Sequence, residues 1–105
     1  MKKILLVCSA GMSTSLLVSK MKVAAKLKAI ECSINAIAEN EIDDYGEDFD
    51  VLLLGPQVRF LFNKLKERYE DKNIPVDVIN TVDYGTMNGA KVLDNALALI
   101  KNNIY

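Results

Sequence analysis

Two kinds of hydrophobic pattern alternate along the chain. Residues 3–7 and 51–54 hold continuous apolar runs, Ile4-Leu5-Leu6-Val7 and Val51-Leu52-Leu53-Leu54. A run that is apolar at every position suits a strand covered on both faces. Residues 32–38 alternate instead, with Cys32, Ile34, Ala36 and Ala38 on one side and Ser33 and Asn35 on the other. Residues 76–79 are short and carry the polar Asp77 in their middle. These two segments read as edge strands. Helical spacing fills the intervals. Ser13 or Thr14 can cap a helix running to about Ile30. Val58, Leu61, Phe62, Leu65 and Tyr69 form one stripe of a helix, and Val92, Leu93, Ala96, Leu97, Ile100 and Ile104 form another. Residues 41–45 are compatible with a short helix stopped by Gly46.

The resulting βαβαβαβα order predicts an α/β fold with a four-stranded parallel sheet and helices on both faces. With strands one and three central and strands two and four at the edges, the strand order is 2-1-3-4. Right-handed crossovers then place the first and last helices on one face and the middle two on the other. The chain of 105 residues suits a single domain, 1–105. Chain order reverses between strands one and three, and ligands of such sheets bind beside that reversal, at the carboxyl ends of the strands. The segments expected there are residues 8–15 and 55–57.

Composition narrows the chemistry. A formal net charge of −1 gives no basic field for nucleic acid or an anionic membrane. No apolar run reaches the roughly 20 residues that cross a bilayer. The first apolar run ends at Cys8 without a signal-peptide cleavage pattern, so the chain is expected in the cytoplasm. Two cysteines, Cys8 and Cys32, without a Cys-x-x-Cys pair, suggest neither a disulfide framework nor a zinc site. There is no histidine, which removes Ser-His-Asp and Cys-His catalysis and the usual metal sites. No metal and no cofactor are expected.

One loop stands out. Cys8-Ser9-Ala10-Gly11-Met12-Ser13-Thr14-Ser15 leads from strand to helix and is small or hydroxylated apart from Met12. Small side chains let successive N–H groups curl around an anion, and a glycine permits the turn. The following helix adds free N–H groups and the positive end of its dipole. Ser9, Ser13, Thr14 and Ser15 offer hydroxyl donors. A doubly charged phosphate fits such a loop. Inward amides also favour a thiolate, the nucleophilic form of a cysteine. Attack on phosphorus depends mainly on positioning and charge stabilisation, so a histidine-free site is compatible with it.

Three readings stay open at this level. A cysteine ending a buried strand is commonly an inert core residue, in which case the loop is a non-catalytic anion site. A cysteine before a phosphate loop is also the architecture of small cysteine-dependent phosphatases and arsenate reductases. The phosphatases require Cys-x5-Arg, and Thr14 occupies the arginine position here. Arsenate reductases require a resolving-cysteine pattern that is missing. Without a guanidinium clamp, holding and relaying a phosphoryl group is favoured over hydrolysis.

The stretch from Cys8 to Lys20, CSAGMSTSLLVSK, closely resembles the phosphorylation loop and first helix of the lactose/cellobiose (chitobiose) family of phosphotransferase system (PTS) enzyme IIB proteins. Leu52-Leu53-Leu54-Gly55-Pro56-Gln57 and Asp83-Tyr84-Gly85 also match, and the resemblance covers nearly the whole chain. It implies a cytoplasmic phosphocarrier. Cys8 would accept phosphate from a phosphohistidine of enzyme IIA and pass it to a sugar bound by the membrane component, enzyme IIC. The sugar class implied is a β-disaccharide such as cellobiose or chitobiose. Residues Ser9, Ala10, Gly11, Met12, Ser13, Thr14 and Ser15 would bind the phosphoryl oxygens. Complexes with IIA and IIC would be transient and the free chain monomeric.

The remaining candidates divide between roles. Met12 either packs against a neighbouring loop or serves docking. Gln57 and Tyr84 either flank Cys8 or point to solvent beside the turns made by Pro56 and Gly85, the second being favoured. Cys32 reads as a packing residue. Lys20, Lys22, Lys26 and Lys28 read as a solvated face, and Arg59 as solvated unless it meets an acidic partner.

Overall fold

The computed structural model describes residues 1–9 and 11–102, with the backbone alone at 11–13. Strands β1 (Lys2–Cys8), β2 (Cys32–Ala38), β3 (Val51–Leu54) and β4 (Val76–Val78) form one parallel sheet in the order β2-β1-β3-β4. This is the predicted topology. Its cause is visible in side-chain burial. Ile4, Leu6, Val51 and Leu53 face one core cluster, while Leu5, Val7, Leu52 and Leu54 face the other. Parallel strands this apolar are stable only with a helical layer on each side.

Helices α1 (Gly11–Leu27) and α5 (Gly89–Asn102) cover the first face through Leu17, Met21, Val92, Leu93 and Ala96. Helices α2 (Ile42–Tyr45) and α3 (Phe62–Glu70) cover the second through Ile42, Leu65 and Tyr69. Gly46, at φ 88°, ends α2 as its sequence position suggested. The predicted stripe from Val58 to Tyr69 is divided between a 3-10 turn, Pro56–Leu61, itself kinked at Val58 (φ −116°, ψ 22°), and α3. Ile104, the last residue of the predicted C-terminal stripe, lies outside the described residues.

Two boundaries and one element differ from expectation. Helix α1 starts at Gly11, so Ser13 and Thr14 stand inside its first turn and do not cap it. It ends at Leu27, short of Ile30, because Ala29 turns left-handed at φ 53° and Ile30 N–H reaches back to the Ala25 carbonyl at 2.9 Å. A short helix, α4 (Thr81–Gly85), intervenes before α5. Asn80 caps it, its side-chain oxygen accepting from the N–H groups of Val82 and Asp83.

Gly89 sets the approach of α1 to α5. A Cβ placed there would lie 2.5 Å from the carbonyl carbon of Lys20 and 2.6 Å from the Met21 nitrogen. These are backbone atoms and cannot rotate away, so Gly89→Ala must force the helices apart. Overpacking of this kind costs about 1–3 kcal/mol, and for a chain of this size each kcal/mol lowers Tm by about 4–8 °C. A thermal melt showing an unchanged Tm would refute this. Ala29→Gly should act oppositely, relieving the left-handed backbone and raising stability by about 0.5–1 kcal/mol in urea titration.

Candidate functional site

Cys8 is the last residue of β1, paired with Ala38 of β2, and it sits where β3 gives way to Gly55. The Gly55 N–H donates to the Val7 carbonyl at 2.8 Å, which clamps the turn after β3 against the end of β1. A Cβ at Gly55 would lie 3.7 Å from the Cys8 Cβ and 3.1 Å from Gln57 Oε1. The glycine thus brings backbone to the flank of the cysteine, and the Gln57 carboxamide folds over the same place while Gln57 stays exposed. Cys8 itself is 2 % exposed, and its Sγ–H donates to the Ile37 carbonyl at 3.7 Å. A thiol so placed is recessed from solvent, with its hydrogen directed at a carbonyl. Nucleophilic attack requires that proton to leave.

The chain then turns directly into a helix. Ser9 is exposed, Ala10 lies outside the described residues, and α1 begins at Gly11. The first turn of a helix offers N–H groups without intrahelical partners, and a 17-residue helix carries its positive dipole end there. These groups start three residues after Cys8. The side chains of Gly11, Met12 and Ser13, including the candidate docking role of Met12, lie outside what is described. Ser15 is exposed. Thr14 is 1 % exposed, and its Oγ1 stands 3.1 Å from the hydroxyl of Tyr84.

That contact corrects the expectation for Tyr84, which does not point to solvent but is buried between α4 and α1. It also directs the Thr14 hydroxyl towards α4. The local signal for α4 was Asn80 ahead of Thr-Val-Asp, an N-cap pattern. Nothing local linked Tyr84 to a residue 70 positions earlier. Cys32 is half-buried against the α1–α5 cluster, as a packing residue should be, and burial pushes its thiol pKa up. Lys20, Lys22 and Lys26 are exposed, and Lys28 pairs with Asp94. Arg59 is exposed, its guanidinium at 3.5 Å from the Pro56 carbonyl.

A groove of about 510 Å³ opens beside Ser9, walled by Glu39, Asn40, Asp43, Lys64 and Arg68 over an apolar floor of Ile42, Leu61 and Leu65. Arg68 pairs with Asp43 and holds its carboxyl below the usual carboxylate range. Another groove, about 640 Å³, lies at the opposite end of the sheet around Glu31, Cys32 and Ser33 and is remote from Cys8. Among the described residues no cluster of potential metal ligands occurs, and no helix is long and apolar enough to cross a membrane.

The sequence model of the lactose/cellobiose-specific IIB subunit of the PTS matches residues 3–95. The chain belongs to that IIB family. It is 43 % identical over 102 residues to the oligo-beta-mannoside-specific EIIB component of Bacillus subtilis strain 168, covering 97 % of this chain and 99 % of that protein. It is 46 % identical over 97 residues to the galactose-specific EIIB component of Lactococcus lactis subsp. cremoris, covering 88 % and 90 % respectively. The solution structure of a cellobiose-specific phosphotransferase IIB component from Borrelia burgdorferi superposes with a TM-score of 0.80 at 50 % identity, covering 97 % of this chain and 94 % of that one. IIB proteins are phosphotransferase components that act in sugar uptake alongside IIA and IIC.

In this IIB chain the Asp43–Arg68 pair ties α2 to α3 at the wall of the groove. The Asp43 pKa is lowered from 3.8, chiefly by hydrogen bonding to Arg68. The pair's stabilisation is therefore complete above the unfolded value and is lost as pH falls through the lower folded one. Asp43→Asn should reduce the urea midpoint slightly near about pH 6, with the difference from wild type shrinking towards about pH 2. A difference independent of pH would show that the ion pair is not its cause.

Proposed function

We propose that Cys8 is the phosphoryl acceptor of this IIB protein. The observation that carries the reading is the placement of Cys8 at the end of a central strand, between the backbone at Gly55 and the first turn of α1. The loop from Ser9 to Ser15 supplies the amide donors for the phosphoryl oxygens, as helix N-termini do for phosphates. The phosphoryl donor is a phosphohistidine of enzyme IIA. The Cys8 thiol gives up its proton, Sγ attacks phosphorus, an S–P bond forms and the N–P bond to the imidazole breaks. The imidazole keeps the bonding electron pair and takes a proton in place of the phosphoryl group. In the second step a hydroxyl of the sugar held by enzyme IIC attacks phosphorus, the S–P bond breaks with its electron pair on sulfur, and the hydroxyl proton passes to that sulfur, so the cysteine returns as thiol.

The whole chain, 1–105, acts as one IIB domain on the cytoplasmic side of the membrane, monomeric between brief encounters with IIA and IIC. The sugar is a β-disaccharide such as cellobiose or chitobiose. Relatives named for oligo-beta-mannosides and for cellobiose support that class, and a relative of similar identity is named for galactose.

Incubation with enzyme IIA charged with 32P on its histidine tests the reading. Wild type should take up close to one label per chain, acid- and iodine-labile as a thiophosphate, and Cys8→Ser should take up less than about 1 % of that, since the hydroxyl is a far weaker nucleophile. Equal labelling of the two proteins would sink the proposal. Rapid turnover of an aryl phosphate by wild type would instead favour the phosphatase reading.

A further inference from the structure

Thr14 lies in the first turn of α1, in the middle of the loop segment that was expected to present hydroxyls to phosphate. Its hydroxyl is buried and shares a 3.1 Å hydrogen bond with the Tyr84 hydroxyl, which is buried as well. Two buried hydroxyls that meet each other must keep meeting, because separating them strands both away from water.

Tyr84 is a firm anchor. Its N–H donates to the Asn80 carbonyl at 2.9 Å, while the Asn80 side chain caps α4 through Val82 and Asp83 at 2.8 and 3.1 Å. Ile79 N–H donates to the Leu54 carbonyl at 2.8 Å, and Leu54 precedes Gly55, the backbone neighbour of Cys8. A continuous path therefore leaves Cys8 on one side through Gly55, β4 and α4, and returns through Tyr84 to Thr14 on the other. The loop is bracketed between the two ends of that path. Phosphate loops act through amides aimed in advance, so a small rotation of the first helical turn disperses their convergence.

We propose that the Thr14–Tyr84 hydroxyl pair positions the first turn of α1, so that its amides converge on the phosphoryl group carried by Cys8. Tyr84 is a positioning residue that acts through Thr14 and makes no contact with phosphate itself. The consequence for transfer rests on the phosphocysteine reading. The ordering of the first turn does not.

The test uses the full chain with Thr14→Val, Tyr84→Phe, the double variant and Thr14→Ser. Two quantities are measured: the single-turnover rate of phosphoryl transfer from charged enzyme IIA, and hydrogen exchange along α1. Each hydroxyl deletion should slow transfer and speed exchange of the earliest protected amides of α1, those that bond back to its first turn, by about five- to tenfold, the equivalent of one net buried hydrogen bond. Exchange at the far end of α1 should not change. The double variant should resemble either single, since removing both partners removes one interaction. Thr14→Ser, which keeps the hydroxyl and the fold, should restore both quantities. Multiplying effects in the double variant would overturn the proposal, because each hydroxyl would then act separately, as with Tyr84 directly on phosphate. Unchanged transfer with a lowered Tm would overturn it as a merely structural contact. If wild type accepts no label, the phosphocarrier reading falls, and exchange decides the positioning: acceleration confined to those earliest protected amides upholds it, and unchanged or uniformly faster exchange refutes it.

Discussion

The β1–β3 pair has no polar side chain between Ile4 and Val7 or between Val51 and Leu54, and each of these residues is at most 3 % exposed. Both faces of that pair must be roofed, and a parallel pair cannot be closed by a hairpin. Crossover helices are the available roof. Once α1 and α5 lie on one side and α2 and α3 on the other, the carboxyl ends of β1 and β3 become the place where the chain leaves the sheet in opposite directions. Cys8 and Gly55 stand side by side there because Val7 pairs with Leu54. The candidate site is thus a geometric consequence of covering eight apolar side chains, with Cys8 at the boundary between core and solvent.

On the proposed reading the same boundary makes a cysteine in this position both buried and usable. Its sulfur is screened by β2, where the Ile37 carbonyl accepts a hydrogen bond from the thiol. On its β3 side Gly55 has no side chain to interpose, and α1 begins three residues on. A side chain at residue 55 would place carbon 3.7 Å from the Cys8 Cβ. Polar backbone around a recessed cysteine provides donors without their own counter-charges, which is the arrangement that attracts an anion.

Strand order and both helical layers were legible in the sequence because they follow from periodicity, and periodicity is a local property repeated over many residues. Residues 32–38 alternate because only one edge of β2 is paired and its faces differ. What was not legible depended on single contacts between distant residues. Ser13 or Thr14 looked like a helix cap, since the side-chain oxygen of such a residue accepts from the free N–H groups of the first turn. Helix α1 instead begins at Gly11, and Thr14 spends its hydroxyl on Tyr84. Tyr84 looked like a turn residue because it precedes Gly85, and α4 is too short for periodicity to register. The left-handed Ala29 was equally hidden, for a glycine there would have announced the end of α1, whereas an alanine reads as more helix.

The position of Thr14 also bears on the choice between relay and hydrolysis. In a loop built for phosphate hydrolysis the residue six places after the cysteine is a cation that clamps the equatorial oxygens and stabilises a transition state. Here that residue is neutral, buried and turned away to α4. The basic residues of the adjoining groove do not replace it as a clamp, since Arg68 is held by Asp43 and Lys64 is exposed on α3. On the proposed reading this is an advantage. A carrier must bind the phosphoryl group well enough to keep water from taking it and loosely enough to surrender it within one encounter. Amides and a helix dipole distribute modest stabilisation over three oxygens. A fixed guanidinium would deepen the resting state and lower the barrier to water together. Replacing a charge with a buried hydroxyl pair moves the role of that position from binding the phosphoryl group to fixing the geometry of the amides that do.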